Sequence, residues 1–67
     1  MHPDPGVIVT DYDLRDAITT LRRAGFGTYV LERGTICAYK RKACYGFRPR
    51  HGRFTKEAIQ RAIADNS

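Results

Sequence analysis

Hydrophobic and polar residues alternate along this chain with two different periods. Leu14, Ala17, Ile18, Leu21 and Ala24 recur at three- and four-residue intervals, the apolar stripe of a helix. Thr10 and Asp13 have capping-box spacing, with Asp where Glu or Gln is usual, and Val9 and Leu14 are placed as a hydrophobic staple. Asp11 and Asp13 suit the positive end of the helix dipole, Arg22 and Arg23 its negative end, and Gly25 is a natural terminator. The pattern predicts a helix over 11–24. A second stripe, Ala58, Ile59, Ala62 and Ile63, follows Thr55 as N-cap, with Phe54 set to staple against Ile59.

Between these helices the period shortens. Thr28–Leu31, Thr35–Lys40 and Ala43–Arg48 have strand composition, separated by an Arg33-Gly34 turn and a turn placed at Lys40-Arg41. That second turn sets Cys37 opposite Cys44 and Ala38 opposite Ala43. Pro49, His51 and Gly52 then break the sheet. The expected fold is α+β, a two-layer domain over 11–64 in the order helix, three-stranded antiparallel sheet, helix. An extended lead-in over 1–10 precedes it, in which Val7, Ile8 and Val9 read as an edge strand or an apolar plug.

Two helices cover one face of such a sheet and leave the other to solvent or a partner. Alternation groups Tyr39 with Cys37 and Arg41, and Tyr45 with Ala43 and Phe47, without deciding which group faces outward. Phe26, Tyr29, Phe47 and Phe54 are expected in the core, because a chain of 67 residues needs its large side chains there. Tyr39 and Tyr45 suit core or base stacking equally. So small a chain is a single domain with little room for an enclosed active site, and a homodimer would add core.

Charge adds direction to this picture. The net charge is +5, but residues 1–32 hold three cations against five anions while residues 33–61 hold nine against one. The stretch Arg33–Arg53 has no acidic residue and threads Tyr39, Tyr45 and Phe47 between its cations. A basic, aromatic-interleaved ribbon suits a nucleic-acid backbone and its bases; the same charge also suits a solvated face that keeps a small protein soluble. The candidate contacts are Lys40, Arg41, Lys42, Arg48, Arg50 and Arg53 to phosphates, His51 beside them, and Tyr39 or Tyr45 against bases.

Candidate chemistry is sparse. Cys37, Cys44 and His51 lack a close-spaced ligand pair, so no metal is expected, and His2 has no second ligand nearby. No cofactor motif is present. The cysteines are expected reduced, as small buried apolar groups. No apolar run is long enough to span a bilayer, and the start MHPDPGVIVT lacks a basic segment before an apolar core, so a cytoplasmic location is expected.

Leu21-Arg22-Arg23-Ala24-Gly25-Phe26, Gly34-Thr35 and Pro49-Arg50-His51 before the last helix resemble the motifs of the HicA toxins. Those are small mRNA-cleaving partners in toxin–antitoxin pairs, with a fold like that of double-stranded-RNA-binding domains. The resemblance spans roughly residues 13–64 and implies RNA as the partner. It departs at Ile36, which stands where the family has its catalytic histidine; isoleucine cannot move a proton. The expected function is therefore a non-enzymatic nucleic-acid-binding protein. The alternatives are a phage or mobile-element inhibitor, anti-CRISPR-like, that binds a host nucleic-acid-binding protein complex, and a diverged HicA-like mRNA interferase with His51 as a stand-in base.

Overall fold

The first helix starts later than the pattern predicts, because a short strand precedes it. A computed structural model describes residues 11–66; His2, the lead-in with its Val7–Val9 run, and the Thr10 cap with its Val9 staple lie outside the described residues. Strand β1 is Asp11–Asp13 and helix α1 is Leu14–Arg23. Asp13 is the N-cap, its carboxylate accepting from the Asp16 N–H at 2.8 Å. The chain continues through β2 (Gly27–Val30), β3 (Ile36–Lys40), β4 (Ala43–Phe47), β5 (Arg53–Thr55) and α2 (Lys56–Asp65). The order helix, three-stranded antiparallel sheet, helix is present, with β1 and β5 added as a separate two-stranded ribbon.

Each local device has a visible cause. At the end of α1, Gly25 takes φ +95°, its N–H donates to Arg22 O, and the Phe26 N–H donates to Leu21 O. This is a Schellman cap, and its usual apolar contact is supplied by Phe26 and Leu21, both buried. The loop between β2 and β3 is closed by Gly34 N–H to Leu31 O and Leu31 N–H to Thr35 O, with Gly34 at φ +87°. The segment 50–53 does not merely break the sheet. Arg50 and Arg53 exchange both backbone hydrogen bonds around His51 and Gly52, at φ +54° and +76°. That is a two-residue hairpin turn of the primed kind, and it delivers β5 to β1, pairing Tyr12 with Phe54 and Asp13 with Arg53. The segments leading into the two helices are thereby tied together.

The main sheet has the order β2-β3-β4. The β3–β4 turn falls at Arg41-Lys42, one residue later than expected, so Cys37 pairs with Gly46, Tyr39 with Cys44 and Ala38 with Tyr45. The two-residue slip in pairing keeps the expected grouping of side chains on either face. The helices cover the face of Ile36 and Ala38, where Ala17, Leu21, Phe26, Phe54 and Ile59 complete the core. Four expectations about burial change. Leu14, at the first position of α1, is half-exposed; Ala58 is exposed; Tyr29 leaves the core for the opposite sheet face; and Cys44 is exposed, with Cys37 only half-buried. Thr55 precedes α2 as expected but makes no side-chain cap bond.

Arg41 holds φ +57°, a left-handed conformation that costs a side-chain-bearing residue about 1–2 kcal/mol. Arg41→Gly is expected to raise stability by about 0.5–1 kcal/mol after the entropy of the added glycine, read as a higher thermal midpoint. A midpoint at or below wild type would show that the arginine side chain stabilises the turn by contacts of its own.

Candidate nucleic-acid interface

The expected basic ribbon is divided by the pleat. Lys40 lies on the face of Ile36 and Ala38, so its side chain runs inward. Its ammonium donates to Ala24 O at 2.9 Å and to Asn66 O at 3.0 Å, and sits over the Phe26 ring at 5.6 Å. Ala24 and Asn66 are the C-caps of the two helices, whose last carbonyls lack intrahelical partners and carry the negative end of the dipole. Tyr45 also turns inward. Its ring meets Phe26 edge-on at 6.1 Å, and its hydroxyl accepts from the Asn66 side-chain amide at 2.8 Å. Lys40 and Tyr45 are thus structural, a correction to their expected places at phosphate and base.

Facing away from the helices, the sheet presents Tyr29, Cys37 and Gly46 in one cross-strand row and Gly27, Tyr39 and Cys44 in the next. Tyr29 and Tyr39 are 53 % and 50 % exposed, with ring centroids 6.2 Å apart. A Cβ built on Gly27 would fall 2.3 Å from Tyr39 Cζ, so the tip of the Tyr39 ring lies down across β2. Glycine at position 27 is what permits this close approach. A side-chain hydrogen bond with Cys37 raises the Tyr29 phenol above its ordinary 10.0, with Cys44 and Tyr39 pushing the same way. An ordinary phenol is already neutral at physiological pH, and the shift moves this one further from ionising.

The exposed cations sit at the two ends of this face. One step beyond β3 and β4, the register sets Thr35 opposite Arg48. These two residues, with Arg33 and Pro49, line an open hollow of about 310 Å³. Arg41 and Lys42 stand exposed in the turn at the far end, about 17–20 Å away along β3. Arg50, His51 and Arg53 are exposed on the other hairpin, where Arg53 reaches Asp11 O at 3.5 Å and pairs across the strands with Asp13. Of the nine expected contact residues, only Tyr39, Arg41, Lys42 and Arg48 border the tyrosine face. Tyr29, Arg33 and Thr35 join them. Arg33 was legible in the basic run; Tyr29 and Thr35 became visible only once pairing set them beside Cys37 and Arg48.

Compared with family models, curated proteins and solved structures, the chain matches none of them. Arg61 with Glu57, at 3.9 Å, forms the one ion pair among the described residues, so the aspartates around α1 do not pair with the cations at the ends of the sheet. No group of three His, Cys, Asp or Glu side chains suited to a metal is found among the described residues. No helix among them is long and apolar enough to cross a membrane.

Proposed function

We propose that this protein binds nucleic acid without cleaving it. The observation that carries the reading is the pair of exposed cationic ends, Arg33 with Arg48 and Arg41 with Lys42, flanking a neutral tyrosine face in a segment free of carboxylates from residue 33 to 56. Glu32 and Glu57, both exposed, bound this segment. Guanidinium groups and an ammonium spaced across one face suit successive phosphates, which are neutralised with release of their counterions. Position 36 supports the non-catalytic part of the reading. Ile36 is fully buried beneath the helices, and His51 stands exposed in a turn, its side chain in no hydrogen bond or ion pair among the described residues.

If these four cations contact phosphates, log K against log salt should fall with a slope of roughly −3 to −4. Arg33→Gln with Arg48→Gln should make the slope shallower by about 1.5–2. Fluorescence anisotropy with a labelled oligonucleotide reads both. A slope near zero, or no binding at 50 mM salt (roughly a 14 Å screening length), removes the proposal.

One observation favours a second reading, an inhibitor that docks on a host protein. Tyr29, Val30 and Leu31 are each about half-exposed along and just beyond β2, an edge strand, and an edge with exposed apolar residues suits a protein surface. A stoichiometric protein partner retained after nuclease treatment of a lysate would favour this alternative over direct nucleic-acid binding.

A further inference from the structure

Resting on the nucleic-acid reading, we infer that the ligand is a single strand laid across the outer face of β2, β3 and β4. One phosphate sits in the Arg33–Thr35–Arg48 hollow, and an unpaired base lies against the Tyr39–Tyr29 pair.

Four features point to an unpaired strand. A duplex shows its phosphates and the edges of its bases but keeps the base faces stacked inside, where a tyrosine cannot reach them. The rings here are half-exposed, and neither is consumed by the core. Tyr39 lies down over Gly27, its ring tip across β2, and the residue is still half-exposed, which leaves ring surface for a base to meet. The β4 end of the Tyr29–Cys37 row is open, since a Cβ added at Gly46 would meet nothing within 4 Å. The spacing also fits. Thr35, Cys37 and Tyr39 follow one another on the same side of β3 in steps of about 7 Å, comparable to the backbone step of an extended single strand.

Charge selects against a second copy as the occupant. Stacking two such faces would bring the cationic ends of one sheet against those of the other, with no carboxylate between residues 33 and 56 of either chain to offset them. A polyanion meets both ends favourably. The neutral Tyr29 phenol leaves no negative charge between them to repel it.

The test compares an unstructured single strand of a dozen nucleotides, RNA or DNA, with a duplex matched in phosphate number. Wild-type protein and the variants Tyr39→Leu, Tyr29→Leu and Arg33→Gln/Arg48→Gln are titrated by anisotropy. The chain has no tryptophan and four tyrosines, so its intrinsic emission reports directly on a base stacking at the face of the unaltered protein. The expected result is tighter binding of the single strand, quenching of tyrosine emission on binding, and a 5- to 150-fold loss, roughly, with Tyr39→Leu on the single strand alone. Equal or tighter duplex binding without quenching, weakened by the arginine variant but untouched by the tyrosine variants, overturns the single-strand seat and leaves the nucleic-acid reading standing. Absence of binding to either probe overturns both.

Discussion

Ile36→His is expected to unfold much of the protein and to create no ribonuclease. The substitution puts a histidine at the position where the sequence resemblance to the HicA toxins would expect one. In this fold, however, that position is a core position. Ile36 is 0 % exposed, paired with Val30 on one side and Phe47 on the other, within the cluster that includes Leu21, Phe54 and Ile59. Removing the isoleucine forfeits about 2–3 kcal/mol of burial, and an imidazole without partners there costs a further 1–3 kcal/mol or so. Against a total of about 3–10 kcal/mol for a domain of this length, a loss of about 3–6 kcal/mol is a large part or all of the stability. Urea unfolding followed by circular dichroism reads the midpoint, and incubation with RNA reads cleavage. A variant that unfolds near the wild-type midpoint would refute the packing argument; one that folds and cuts RNA would also reopen the enzymatic reading.

Lys40→Ala is expected to cost about 2–3 kcal/mol and to leave binding by the folded protein unchanged. A single ammonium satisfies a terminal carbonyl on each helix, and charged hydrogen bonds of this kind contribute about 1.5–3 kcal/mol each before solvent moderates them. Both acceptors lie at helix C-termini, where a cation is favoured. Water can reach the half-buried site in the variant, which brings the expected loss to or below the lower end of the two-bond sum. For a domain this small the thermal midpoint should drop by roughly 10–20 °C. Lys40→Met, which keeps the stem over Phe26 without the charge, separates packing from hydrogen bonding. If Lys40→Ala melts with wild type, or if the folded variant loses affinity as Arg48→Gln does, the inward assignment of this lysine is mistaken.

The two predictions show why a cationic run cannot be read as a surface by composition alone. Lys40, Arg41 and Lys42 are consecutive, yet the first is tied to backbone atoms 16 and 26 residues away while the next two stand in solvent at a turn. None of the three is a favoured turn former, so local chemistry left the turn free to slide. The inward reach of Lys40 accounts for its final place: as a strand residue it meets both helix ends, and as a turn residue it would not. The ribbon of β1 and β5 escaped the pattern for another reason. Each strand has three residues, too few for alternation to register, and their partners are some forty residues apart.

What the chain determined by itself was whatever depends on neighbours in sequence. That covers the α+β class and its element order, the stop at Gly25, the stripe that buries Ala17 and Leu21, and the grouping of Tyr39 with Cys37. Tertiary structure decided which group faces out, because alternation is symmetric until helices cover one side. By covering the side of Ile36, Ala38 and Lys40, the helices left Tyr29 and Tyr39 exposed. Pairing of β3 with β4 then brought Arg48 to Thr35 and Arg33, a hollow built from two loops that no local spacing could join.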